Sequence, residues 1–228
     1  VFRLYETERF VFQEGKMASP VAALHEARTS VGARRSEATE AAVLEAFVEL
    51  LAEVGYAAIT MEAVAKRARA GKATIYRWWP TKAYIALSLI SKAKVELPTP
   101  QGLSLRSDLI DYMTRVLGMW RGDAGLPVGV LVRHCYAEAW SDPALAAALQ
   151  SERLERWTLL NDMLQSARDR GELPAETDLA RAKDFAMSWP LYLLMTDQVP
   201  EPDAIARMVD DTLNGLRAGL SRPPSPDT

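Results

Sequence analysis

Cysteine is nearly missing from this sequence: Cys135 is the one thiol among 228 residues. That excludes an internal disulfide framework and any Cys-rich zinc or iron–sulfur centre. Histidine is as scarce, with only His25 and His134, so no metal site and no cofactor is expected. Apolar residues make up 49% of the chain, yet no apolar run reaches the ~18 residues that a membrane helix needs. Residues 1–16 are polar and aromatic and lack the apolar stretch of a signal peptide. HExxH, GxGxxG and P-loop patterns are absent. So are strand-like alternation and internal repeats. The expectation is an all-α protein of the reducing cytoplasm with no membrane partner.

One further absence is positional. No acid lies between Glu62 and Glu96, and that gap holds Lys66, Arg67, Arg69, Lys72, Arg77, Lys82, Lys92 and Lys94. Residues 28–94 carry a net charge of +5, residues 95–228 a net −7, and the whole chain −3. A basic run of this kind is either a solvated helical face or a polyanion-binding surface on a small N-terminal domain.

What is present is helical periodicity. Over residues 36–54, Val43, Phe47, Leu50, Leu51 and Val54 form one stripe that Gly55 ends. Thr60 caps a short helix over 61–68, and a second covers 72–79 before Pro80. Thr81 begins another helix, to about residue 97. Residues 98–102 are a Pro/Gly linker. Further helices are expected over 104–121, 128–140, a single long one from Asp142-Pro143 to about 170, 178–198 (kinked at Pro190), and 201–220. By this reading residues 1–33 are a leader, 34–80 a DNA-binding domain, 81–220 a helical ligand-binding and dimerisation domain, and 221–228 a disordered tail. The chain opens on Val1 with its first methionine at Met17, and residues 1–16 are either a native arm or a non-native extension.

Two short helices joined by about three residues, inside an acid-free basic run and behind a packing helix, have helix-turn-helix organisation. The second is short enough for a major groove. Thr74, Tyr76 and Lys82 supply phosphate-directed donors, and Gly71, Lys72 and Arg77 stand near base edges. Thr60-Met-Glu-Ala-Val-Ala-Lys-Arg-Ala followed by Gly71-Lys-Ala-Thr-Ile-Tyr-Arg-Trp-Trp-Pro-Thr-Lys82 resembles the DNA-binding segment of TetR-family transcriptional regulators. The resemblance covers about residues 34–87. It implies that Thr60 caps the second helix and touches phosphate, and that Lys72 and Arg77 face the groove. Thr74, Tyr76 and Lys82 would contact phosphates, and Arg34 and Arg35 would form an arm near the minor groove. Val64, Ala65, Ala68 and Ile75 would be core. Three positions depart from the pattern: Arg69 where the turn usually has Gly, Gly71 where Ser often caps, and Trp78 at a position often basic. Trp78 either packs inward or touches a thymine methyl or sugar.

The resemblance implies a repressor released from a palindromic operator in double-stranded DNA by a small, largely apolar molecule, acting as a homodimer. For the dimer interface the expected residues are Phe185, Trp189, Tyr192, Ile205, Val209, Leu213 and Leu216, from two helices that form a four-helix bundle with a symmetry mate. Single-chain burial is the alternative. For the ligand pocket they are Met113, Leu117, Trp120, Leu131, His134, Cys135, Trp140, Trp157, Leu160 and Leu164, with plain core packing the competing explanation for each. Arg115, Arg133 or His134 would orient a polar group. An enzyme is disfavoured because the adjacent His134 and Cys135 diverge by about 100° on a helix. A helical interaction protein, or a DNA binder without an effector, remains the alternative.

Overall fold

The computed structural model describes residues 32–93 and 102–217, apart from the side chains of 32–36 and 154–156. The expected leader, linker and tail, and the expected helix ends near 97 and 220, lie wholly or largely outside the described residues. Those that are described form an all-helical fold in two compact units. The first comprises the described chain up to Leu89 together with His134–Ser151. The second comprises the described parts of Ile90–Arg133 and Glu152–Thr228. The division therefore falls elsewhere than at 80/81.

In the first unit, α1 (Gly32–Ala58) buries Val43, Leu44, Ala46, Phe47 and Leu50 on one stripe. Gly55 interrupts it with φ 73°, a value that favours glycine. The break lets Tyr56 and Ile59 turn inward, both almost fully buried. Thr60 then caps α2 (Met61–Arg67), its hydroxyl accepting from the Ala63 N–H at 3.1 Å. The turn closes through Ala70 N–H to the Ala65 carbonyl at 3.0 Å. Arg69 in that turn has φ 50°, the left-handed conformation that costs a non-glycine residue roughly 1 kcal/mol. Next come α3 (Lys72–Trp78) and α4 (Lys82–Lys92). Trp79, between them, is buried and donates its indole N–H to Ser88 Oγ at 2.9 Å.

The rest of this unit is the end of α6 (Val128–Ala139) and the start of α7 (Pro143–Arg156). Asp142 caps α7, accepting from the N–H groups of Ala144 and Leu145 at 3.1 and 3.0 Å. Two tyrosines tie this corner to the unit. Tyr56 donates to Glu138 at 2.7 Å, and Tyr84 donates to Asp142 at 3.1 Å. The Tyr56 ring stacks on His134, centroids 4.0 Å apart.

The second unit is built on α5 (Leu105–Arg121), α8 (Thr158–Asp169), α9 (Leu179–Met195) and α10 (Pro202–Arg217). Ser104 and Asp178 cap α5 and α9 with their side chains. Gly122, at φ 90°, ends α5, and a Cβ there would meet the Pro127 backbone at 2.9 Å. The expected single helix from 142 to 170 is divided at Trp157, whose ψ is 1°. No Pro or Gly marks the break. Its cause is tertiary: the indole is buried in the core, with the Arg153 guanidinium 4.6 Å and the Lys183 ammonium 5.9 Å from its ring centre. Pro190 leaves the Ala186 carbonyl without its usual N–H donor, yet α9 continues to Met195.

The stripe on α10 differs in role from the expectation. Ile205, Val209, Leu213 and Leu216 are buried within the chain, in one cluster with Leu109, Met113 and Leu117 of α5. Four residues expected at a dimer interface are thus core of the second unit. An apolar helical stripe shows which face is buried but not which surface covers it. Arg106 on α5 fastens the same pair of helices from outside, donating to Asp210 at 2.6 and 3.0 Å. Leu213→Ala is expected to lower unfolding free energy by about 2–5 kcal/mol, measured by urea denaturation. A change near zero would place this side chain outside the core.

Candidate nucleic-acid interface

The reading unit is assembled from its inner side outward. Val64, Ala65 and Ile75 are buried and Ala68 is half-buried, so they pack the two short helices together as expected. Arg67 is paired within the unit. Its guanidinium donates to Glu53 on α1 at 2.7 Å and also pairs with Glu49. That ion pair sits on the surface and fixes α2 against α1 with little net energy.

The outer side presents Gly71, Lys72, Tyr76 and Arg77, all exposed, and Thr74, half-buried. Gly71 is the N-cap of α3 in extended conformation, with no side chain to bond. A Cβ there would meet only Thr74 Oγ1, at 3.6 Å, so the position has room for a small side chain. Tyr76 is 43% exposed. Its hydroxyl donates to Glu62 Oε1 at 3.2 Å, and Lys72 Nζ lies 3.7 Å from the same oxygen. Burial of the phenol first, and then Glu62, push the Tyr76 pKa above its ordinary value, so the hydroxyl keeps its proton as a donor. Arg77 lies 5.8 Å from the Trp78 ring centre, and Trp78 is edge-on to Trp79. Trp78 is half-buried and packs within this unit. Arg34 and Arg35 lie in the first turns of α1, and their side chains are outside the described residues.

Lys82 is the correction in this set. Its ammonium donates to the carbonyls of Tyr56, Ala57 and Ile59 at 2.9, 3.1 and 3.3 Å and lies 4.6 Å from the Tyr56 ring centre. An ammonium has three protons, and these three carbonyls, one of which (Tyr56) also accepts from the Ile59 N–H at 3.2 Å, match them in number. Lys82 is a helix-end cap rather than a free phosphate ligand.

Residues 43–89 match the family described as bacterial regulatory proteins, tetR family, and residues 99–212 match the tetracyclin repressor-like C-terminal domain. The chain belongs to the TetR family. A HTH-type transcriptional regulator of Mycobacterium tuberculosis, Rv1556, is 30% identical over 76% of this chain and 85% of its own length. YdeS of Bacillus subtilis, also a HTH-type regulator, is 29% identical over 82% and 94%. The TetR-family regulator SCO0332 superposes with a TM-score of 0.59 at 26% identity, covering 78% of this chain and 97% of that one. FadR of Thermus thermophilus, solved with lauroyl-CoA, shares the fold at a TM-score of 0.62 and 20% identity, covering 83% and 98%. TetR-family membership makes this chain a helix-turn-helix transcriptional regulator, not an enzyme.

The residues expected to line a ligand pocket in this TetR-family chain are divided between the two units. His134, Cys135 and Trp140 belong to the first unit, and Met113, Leu117, Trp120, Leu131, Trp157, Leu160 and Leu164 to the second. Trp140 is 93% exposed and lines no interior. Cys135 is buried, its thiol facing the Ala83 carbonyl, and burial pushes its pKa up to about 12. It is therefore a packing residue without nucleophilic character at neutral pH. The seven in the second unit are all buried. Among the described residues no group of three or more His, Cys, Asp or Glu side chains is placed to hold a metal ion, and no helix is long and apolar enough to cross a membrane.

Sequence reasoning missed Glu62, Glu138 and Asp142 as partners of tyrosines. For Glu62 the signal was available: it is the last acid before the acid-free run. Lys82→Ala is expected to cost roughly 1–3 kcal/mol, towards the lower end because water reaches part of the site. A thermal melt measures it, and an unchanged melting temperature would return Lys82 to the DNA-facing set.

Proposed function

We propose that the chain is a homodimeric, ligand-responsive repressor that leaves a palindromic operator when a small, largely apolar molecule binds. The observation that carries the DNA-binding part is the outer side of α3. It exposes Lys72, Tyr76 and Arg77 beside Thr74, on a helix-turn-helix whose own core is complete. These are phosphate and base-edge donors on the element that enters a major groove in this architecture.

Dimerisation is supported by α9. Phe185, Trp189, Tyr192 and Met195 are 40%, 41%, 62% and 39% exposed at helical spacing. Large aromatics in a row at that exposure call for a partner surface. Phe185 already reaches Gly215 of α10, where a Cβ would meet the tip of the ring at 2.5 Å, so α10 comes close beneath this part of the α9 surface. The two-fold symmetry of such a face matches the two half-sites of a palindrome.

Ligand response is supported by the second unit, whose core places Met113, Met163, Met187, Met208, Trp120 and Trp157 together. Methionine yields room to an apolar guest more readily than branched residues do, and tryptophan offers it a large apolar surface. Relatives with the same fold were solved with lauroyl-CoA and with stearoyl-CoA. Arg115, Arg133 (paired here with Asp197) or His134 is the proposed partner of a polar group on the ligand. Release would be a population shift towards a conformer whose two reading helices are mis-spaced.

Selection of genomic fragments by the purified protein, repeated across salt concentrations, tests the reading. A near-palindromic site with a steep salt slope is the expected result, and its absence at all salt concentrations would overturn it. Lys72→Ala is expected to weaken all duplex binding and to flatten the slope by about 1, with the dimer unchanged by ultracentrifugation. Trp189→Asp is expected to sediment as a folded monomer. A dimer surviving that substitution would move the interface off α9.

A further inference from the structure

Glu62 is an acid on the side of the molecule that carries the reading helix. It stands on the first turn of α2, exposed to solvent, and it is the last acid before the acid-free run. Its Oε1 accepts from the Tyr76 hydroxyl at 3.2 Å and pairs with Lys72 Nζ at 3.7 Å. Its own backbone N–H, then Tyr76 and Lys72, hold its carboxyl below the usual carboxylate range, so it is ionised at neutral pH. One carboxylate thus gathers a hydroxyl donor and an ammonium from two successive turns of α3. Both groups belong to the set that the DNA-binding reading assigns to the nucleic acid, Tyr76 to a phosphate and Lys72 to the groove, and a carboxylate offers Tyr76 the same anionic oxygen that a phosphate does.

We propose that Glu62 is an internal stand-in for a DNA phosphate, holding Tyr76 and Lys72 in the free protein and competing with any duplex for them. This inference rests on the DNA-binding reading above. A duplex that takes over the two donors leaves Glu62 unpaired beside the polyanion. The carboxylate therefore opposes every duplex, whatever its sequence. The consequence is weaker binding to the large excess of non-specific sites, where a regulator would otherwise be held by its basic surface.

The test is Glu62→Gln, which keeps the shape and an acceptor for Tyr76 while removing the charge. Binding to a random-sequence duplex is measured by fluorescence anisotropy from low to moderate salt. The expected result is about 3–10-fold tighter binding at ~0.05 M salt and a log–log salt slope steeper by about 0.9. Glu62→Asp, which keeps the charge, is expected to retain the wild-type slope. Weaker binding of Glu62→Gln, or an unchanged slope, with wild-type protein binding normally, would overturn the stand-in role and leave the DNA-binding reading intact. Failure of both wild-type and Glu62→Gln proteins to bind any duplex at low salt would overturn the DNA-binding reading and this inference with it. A matched thermal melt shows that the substitutions leave the fold unchanged.

Discussion

Where α1 breaks at Gly55, the chain must end one helix, turn, and start the next within five residues. The carbonyls of Tyr56, Ala57 and Ile59 converge there, and the Lys82 ammonium donates to all three from the start of α4. A helix end carries partial negative charge and unpaired carbonyls, so a cation with three protons answers both needs at once. Everything distal follows from that clamp. It sets the start of α2, which Thr60 caps, and it holds the two ends of the reading unit, α1 and α4, to one corner. Tyr56 is enclosed by the same clamp, its ring under Lys82 and against His134, its hydroxyl on Glu138.

The two sides of the reading unit divide the basic residues by task. Arg67 and Lys82 are paired within the unit, with surface acids on α1 in one case and with carbonyls in the other. Lys72 and Arg77 stay outside, on α3, where no core claims them. Net positive charge in this segment is therefore a poor measure of how many cations meet a polyanion. The only acid on α2 or α3, Glu62, lies against the outward donors and modulates them, so charge on this side is balanced as well as supplied.

The second unit shows a similar division between apolar faces. The α10 stripe is consumed by α5 inside the chain, whereas α9 keeps Phe185, Trp189 and Tyr192 outside. Gly215 contributes to this: with no side chain, it lets the tip of the Phe185 ring approach α10 closely. A bulkier residue there would lift the ring and roughen the face that the proposed dimer uses.

Local sequence determined the helix boundaries to within a few residues, because caps and breakers act over short range. Ser104, Asp178, Thr60, Gly55 and Gly122 end or begin helices through their own conformations and side-chain bonds. The core of the reading unit was equally plain, since Val64, Ala65 and Ile75 leave no other face to bury. Tertiary structure alone decided three things. It broke the helix at Trp157, whose indole is buried in the core with two cations near its ring. It turned Lys82 from a surface cation into a cap, because the carbonyls it meets lie 23 to 26 positions earlier in the chain. And it assigned the α10 stripe to the chain's own core and the α9 aromatics to the outside. Periodicity specifies the face that must leave water, but the surface that covers it is chosen by the packing of all the other helices.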